Sequence, residues 1–274
     1  MIKENGTILI PIDFSKHSII GLMNSYNIAR YTNSKILLIS STKNTENENI
    51  DELKQLCNKA HEEAKVPCDY KIVNESNLLQ KILKLSDEMN ASLIIMGLNP
   101  AVRFTSFLGL GKYSSFLKKL KCPIITCRAT NFISRCETIV MPLDLSPESR
   151  EKVDTTCQLA NFYDAEIKII SVFSSRKPFF EDSLLPYLHQ VKRKIKQKKI
   201  FCSNRSIASE NVTSSIIEYA GKSNADLIIQ MNERNSNILK WLKGTDSMNI
   251  IDDTSIPVLT INPIKRASIS TGVH

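Results

Sequence analysis

Glycine is scarce in this chain. Its 274 residues include 8, where average usage of roughly 7% would give about 19, so several independent glycine-rich phosphate loops are excluded and the few glycines matter by position. Proline and cysteine, at 10 and 7, are too sparse for collagen-like, low-complexity or disulfide-scaffold architectures. No stretch approaches the ~18 uninterrupted apolar residues of a membrane helix. Met1 to Thr7 carries one charge of each sign, and no apolar block of signal-peptide length follows it. The expectation is a cytosolic protein without a membrane partner.

The cysteines, at 57, 68, 122, 127, 136, 157 and 202, include no Cys-x-x-Cys pair, which removes zinc-knuckle and thioredoxin-type readings. Reduced, mostly buried thiols are expected. Net charge is +8. The densest basic run, Val191 to Lys199, falls in a helix expected from about Ser183, with Leu184, Leu185, Leu188, Val191 and Ile195 as its apolar stripe. Pro186 is placed in that helix's first turn, where proline is tolerated. The lysines read as a solvated face, and no aromatic residues interleave with them to stack bases. Nucleic acid is therefore not an expected partner.

What the chain does have is a repeat. Thr7-Ile-Leu-Ile-Pro-Ile-Asp-Phe-Ser-Lys-His-Ser18 reappears 131 residues later as Thr138-Ile-Val-Met-Pro-Leu-Asp-Leu-Ser-Pro-Glu-Ser149, identical at 6 of 12 positions. Further on the offset grows to 134: Ala91-Ser-Leu-Ile-Ile95 matches Ala225-Asp-Leu-Ile-Ile229, and Cys122-Pro-Ile-Ile125 matches Ile256-Pro-Val-Leu259. Three residues are thus inserted in the middle of the second copy. The unit, of about 130 residues, is a domain and not a solenoid module.

In the first copy, strands are predicted near 8–12, 36–41, 68–73, 93–97 and 124–127, with helices over about 16–32, 50–65, 77–90 and 112–120. The second predicts strands near 139–143, 167–173, 200–207, 226–231 and 257–261, with helices over about 148–162, 181–198, 212–223 and 237–250. Short, largely apolar strands alternating with helices imply a mostly parallel sheet covered on both faces. The fold class is α/β: two tandem doubly wound parallel-sheet domains, residues 1–130 and 136–263, followed by a loose tail, 264–274.

In such sheets ligands bind beyond the carboxyl ends of the strands, at the topological switch point. After strand one, Pro11-Ile12-Asp13-Phe-Ser15 offers Ser15 as a helix cap and Asp13 as an acceptor for ribose or amino groups. The plainer reading of Asp13 is a loop carboxylate satisfied by local amides. After strand four, Met96-Gly97 leads to Gly109-Leu-Gly111-Lys112, where glycines before a helix N-terminus let backbone amides approach phosphate. Lys112, Tyr113 and Ser114 could add polar contacts there. A flexible loop relieved by glycine is the plainer alternative. It is not a Walker A loop: Ser106 stands where the first Gly belongs, and Tyr113 where the magnesium-binding hydroxyl belongs.

These residues resemble a known family. Ile8-Leu-Ile-Pro-Ile-Asp-Phe-Ser15, taken with Ile94-Ile-Met-Gly97 and Cys122-Pro-Ile-Ile125, is similar to the universal stress protein family, and the similarity spans both repeats. The resemblance implies the fold of the adenine nucleotide alpha hydrolases. It also implies a site for ATP with magnesium, built on Gly-x2-Gly-x9-Gly-Ser/Thr after strand four and an Asp after strand one. Carried over, the first repeat supplies Asp13 and Gly97, but the second Gly falls on Pro100 and the Gly-Ser pair on Leu110 and Gly111. Gly109 or Gly111 substitutes only if the loop shifts by one residue. Ser41 stands at the end of strand two, where the family places an apolar residue against adenine. The second repeat supplies Asp144, Val172, Gly244 and Thr245, with Met231 and Arg234 in place of the first two glycines. Side chains at these positions block backbone approach to phosphate, and Pro100 lacks an N–H.

The resemblance further implies that the two domains pair within one molecule through their last strands, with association of two chains as an added option. No Gly-x-Ser-x-Gly elbow or His-Glu-x-x-His helix occurs, and His17, His61, His189 and His274 have no motif-spaced partners. His17 reads as a surface residue. The expectation is a stress-response binding protein with an adenine-nucleotide site in its first repeat and a weaker candidate in its second. The alternative is an interaction scaffold that acts through a protein partner without nucleotide.

Overall fold

The computed structural model describes residues 1–41, 47–73, 78–99, 101, 110–128, 135–174, 180–232 and 247–263. The first repeat contains β1 (Thr7–Ile12), α1 (Lys16–Thr32), β2 (Lys35–Ser41), α2 (Asn47–Ala64), β3 (Cys68–Val73), α3 (Leu78–Glu88), β4 (Leu93–Gly97), α4 (Leu110–Lys119) and β5 (Ile124–Cys127). The second contains β6 (Thr138–Pro142), a 3-10 turn (Glu148–Arg150), α5 (Val153–Tyr163), β7 (Glu166–Phe173), α6 (Phe180–Gln197), β8 (Cys202–Ala208), α7 (Val212–Lys222), β9 (Leu227–Met231), α8 (Ser247–Asp253) and β10 (Val258–Ile261).

The strands form one sheet of ten in the order β3-β2-β1-β4-β5-β10-β9-β6-β7-β8. Every neighbouring pair is parallel except β5 and β10, which join the repeats antiparallel with Ile125 opposite Leu259. Strand alternation sorts each strand's side chains to two faces. Ile8, Ile10 and Ile12 of β1 join one core with Leu22, Ala29, Leu53 and Ala60 of α1 and α2. Leu9, between them, joins the other with Ile82, Leu85, Phe116 and Leu117 of α3 and α4. Each core continues through the second repeat, which is why the inner strands are apolar on both faces, whereas the edge strands β3 and β8 carry exposed polar residues.

The repeats are locked about a pseudo-two-fold axis by equivalent residues. Tyr31 of α1 stacks on Phe162 of α5, at the 131 offset, with ring centroids 4.1 Å apart. Arg128 and Asn262, at the 134 offset, each reach the last helix of the opposite repeat. Asn262 Nδ2 donates to the carbonyls of Leu117 and Leu120 at the end of α4, at 2.6 and 2.7 Å. Arg128 pairs with Asp252 of α8 at 3.2 Å, and both side chains are buried.

The glycine shortage has a local explanation. Left-handed turns that commonly take glycine are made here by Asn33, Lys65, Asn90, Asp164, Lys199 and Asn224, which are three equivalent pairs across the repeats. Four sequence expectations change. The helix expected over 148–162 begins as α5 only at Val153, after the 3-10 turn. The helix expected over 237–250 is described as α8 from Ser247 to Asp253. Leu185 is 41% exposed and leaves the buried stripe of α6, which Leu184, Leu188, Val191 and Ile195 form. Because α6 begins at Phe180, Pro186 lies inside it and not in its first turn.

Candidate functional site at the strand order reversal

In each repeat the strand order reverses between the first and fourth strands, β1 and β4 or β6 and β9. The carboxyl ends of these strands mark the candidate site. After β1, Phe14 has φ 61, an outlier for a bulky residue, and it turns the chain so that Ser15 caps α1. Asp13 Oδ1 accepts from the Ser15 amide at 3.0 Å and the Ser15 hydroxyl at 2.6 Å. The Ser15 hydroxyl oxygen accepts from the Ser18 amide at 3.2 Å, and the Asp13 amide reaches Ser18 Oγ at 3.4 Å. Burial acts to raise the Asp13 pKa, but hydrogen bonds from Ser15 and Ser18 outweigh it and hold the carboxyl below its ordinary value.

The second repeat reproduces this box. Asp144 Oδ1 accepts from the Ser146 amide at 2.7 Å and its hydroxyl at 2.5 Å, and Ser146 Oγ accepts from the Ser149 amide at 3.1 Å. Local amides and hydroxyls thus satisfy one oxygen of each Asp, as the plainer sequence reading had it.

The repeats diverge one helical turn later. In the first, α1 lies directly on the end of β4: a Cβ on Gly97 would stand 1.8 Å from the His17 carbonyl oxygen, and one on Gly21 would stand 2.8 Å from the Gly97 nitrogen. Both are distances real Cβ atoms do not adopt, so these glycines permit the contact. Gly97 therefore serves helix packing on this face, a role the motif reading did not assign. At the equivalent positions the second repeat has Lys152 and Met231, both buried, with Lys152 Nζ donating to Ser149 Oγ at 2.9 Å. Here α5 starts six residues later than the alignment with α1 would place it, after the 3-10 turn.

His17, expected at the surface, is half-buried. Its Nδ1 is buried without a hydrogen-bond partner, and so is Oε2 of Glu148, its counterpart at the 131 offset. Both lie in the segment that follows the Asp-Ser box.

The other predicted residues distribute as follows. Pro11 is half-buried, Ile12 and Met96 are buried, and Asp13 is exposed. Ser41 and Val172, at the ends of β2 and β7, are buried at 6% and 7% exposure, which leaves little of either to meet a ligand. Helix α4 starts at Leu110, so Gly111 and Lys112 lie within its first turn and not before it. Pro100, Gly109, Arg234, Gly244 and Thr245 lie outside the described residues. A cavity of about 510 Å³ lies elsewhere, against β8 and α7, lined by Arg205, Ser206, Tyr219 and Lys222 among others. Among the described residues no His, Cys, Asp and Glu cluster could hold a metal, and no helix is long and apolar enough to cross a membrane.

Residues 136–262 match the model of the universal stress protein family. The whole chain superposes on a universal stress protein from Archaeoglobus fulgidus DSM 4304 with a TM-score of 0.69, at 18% identity, covering 95% of this chain and 97% of that one. It superposes on a functionally unknown protein from Pseudomonas aeruginosa PAO1 with a TM-score of 0.71, at 16% identity, covering 94% and 92%. A third likeness, to the cytoplasmic domain of a prokaryotic cation chloride cotransporter, has a TM-score of 0.56 at 12% identity and covers 94% and 95%. These likenesses are of fold. The sequence has no significant match among curated proteins.

Proposed function

We propose, since residues 136–262 belong to the universal stress protein family and the first half repeats their fold, that the chain is a stress-response binding protein whose first repeat alone takes an adenine nucleotide. The observation that carries this reading is the difference between the two sites. In the first repeat an uninterrupted helix N-terminus, α1, is seated on the end of β4 through Gly21 and Gly97, with Asp13 exposed beside it. In the second, the buried side chains of Lys152 and Met231 occupy the equivalent positions.

The chemistry assigned to the parts is complementary. The carboxylate of Asp13, exposed beyond the end of β1, accepts hydrogen bonds from ribose hydroxyls. The N-terminus of α4, which begins at Leu110 with Gly111 in its first turn, supplies helix-end amides for phosphate. Titration calorimetry of the full chain with ATP tests this: heat is expected from the wild type and from Asp144→Ala, and none from Asp13→Ala. Absence of heat and of a thermal shift with millimolar ATP overturns it.

A second reading is favoured by a different observation. The Asp-Ser box is the same in both repeats although the second has lost the glycines, as expected if the carboxylates serve only to order the loop. The chain would then be a scaffold acting through a protein partner. A partner captured equally well with and without ATP, by protein that gives no nucleotide heat, supports that reading.

A further inference from the structure

We propose that Cys57 and Cys68 form a dithiol site that hydroperoxides oxidise to a reversible disulfide. Cys57 lies on the buried face of α2, and Cys68 is the first residue of the edge strand β3. Their sulfurs are 3.5 Å apart, with the Cys68 thiol donating to Cys57. Closing that gap to a disulfide bond takes about 1.5 Å of movement. The turn between them is pinned: Lys65 is left-handed at φ 57, its amide donates to the His61 carbonyl at 2.9 Å, and His61 Nδ1 lies 2.8 Å from the Val66 carbonyl oxygen.

This arrangement belongs to the first repeat alone. The buried series Leu53, Cys57, Ala60 and Ala64 of α2 corresponds at offset 131 to Leu184, Leu188, Val191 and Ile195 of α6. Cys68 corresponds at offset 134 to Cys202. The three inserted residues therefore fall at the end of α6, and the counterpart of Cys57 is Leu188. Cys202 thus serves as an internal control, a partly exposed thiol with no cysteine at the position of Cys57 and with the fully buried Cys157 as a neighbour.

The two sulfurs divide the chemistry. The hydrogen bond from Cys68 lowers the Cys57 pKa against the opposing effect of burial, whereas donating that bond and being buried both hold Cys68 protonated. Cys122, Cys127 and Cys136 are pushed up to about 12 by burial. The Cys57 thiolate attacks one peroxide oxygen, breaking the O–O bond and giving a sulfenic acid; the hydroxide released takes the Cys68 proton and leaves as water. The Cys68 thiolate then attacks the Cys57 sulfur and expels hydroxide, which solvent protonates. In sum two thiols and one hydrogen peroxide give one disulfide and two waters.

Cys68 begins its strand, so the pair sits at the opposite end of the sheet from the candidate nucleotide site, and the two readings fail independently. The reduced full-length protein is treated with equimolar hydrogen peroxide, alkylated, and digested with trypsin without reduction. Cleavage after Lys54, Lys59, Lys65 and Lys71 puts Cys57 in residues 55–59 and Cys68 in residues 66–71. The expected product is those two peptides linked, about 2 Da lighter than their sum, restored by dithiothreitol, with Cys202 still alkylated. In Cys68→Ser, dimedone is expected to trap Cys57 as its sulfenic acid. The proposal is overturned if the linked peptide is missing while Cys68 goes on to sulfinic acid, or if Cys202 is oxidised first and joins two chains.

Discussion

Gly21 of α1 leaves the space that the Gly97 backbone occupies, and Gly97 in turn leaves the space taken by the His17 carbonyl one turn earlier in the same helix. The pair is a single packing solution that the second repeat abandoned at both positions together, with Lys152 and Met231. A methyl group at either site must displace backbone and not a flexible side chain. Gly97→Ala is therefore expected to destabilise the protein by about 3 kcal/mol and Gly21→Ala by about 1–3 kcal/mol, read from urea unfolding midpoints. Gly221, in α7, meets nothing within 4 Å. Gly221→Ala should instead stabilise by about 0.5–1 kcal/mol, as alanine does in a helix. Equal effects at Gly97 and Gly221 would show that the close approach is not there.

The pairing of the repeats rests partly on a buried charge. Arg128 and Asp252, at 6% and 3% side-chain exposure, join the residue that follows β5 of one repeat to α8 of the other. Removing the guanidinium takes a buried charge partner from the Asp252 carboxylate, so Arg128→Met is expected to destabilise the protein, by up to about 3–5 kcal/mol. Combining it with Asp252→Leu should recover a large part of that loss. A double-mutant cycle measures this, and strict additivity would mean the two groups do not interact.

The fold was legible because the repeat and the strand pattern are statements about sequence itself: β3, β4 and β5 have the predicted bounds, β4 and β5 from apolar runs. The symmetric interface was less so, since Tyr31 with Phe162 and Arg128 with Asp252 meet only once the repeats are docked. The Asp-Ser box could be read from Asp13 and Ser15 alone, because its bonds are local. Gly21 and Lys152 gave no signal, because a close approach is decided by what arrives from β4 or β9. Cys57 and Cys68 are separated by a helix end and a turn, a spacing no short motif describes.

Asp13 makes stability depend on pH. Its folded pKa lies below the ordinary 3.8, so the stabilisation it contributes is full above the unfolded value and is lost as pH falls through the folded one. Asp13→Asn keeps an acceptor for the Ser15 amide but removes this dependence. Urea midpoints of wild type and Asp13→Asn should therefore converge as pH drops from neutral to below that range. Ser15→Ala, which removes the α1 cap, is expected to cost about 1 kcal/mol at neutral pH. Parallel pH profiles for wild type and Asp13→Asn would dissociate the carboxylate from the cap.

Pro186 stands inside α6, where it cannot donate to the carbonyl of Asp182 and its ring crowds that carbonyl. The neighbouring Leu185 is 41% exposed, whereas Leu184 and Leu188 are buried at 2% and 5%. The helix is therefore held by its packed face and not by this turn. Pro186→Ala should stabilise by about 1–3 kcal/mol and Leu185→Lys should be neutral, while Leu188→Ala should cost about 2–5 kcal/mol. Thermal unfolding of the three variants separates the cases, and a destabilised Pro186→Ala would place the proline at a helix boundary, as its sequence alone suggests.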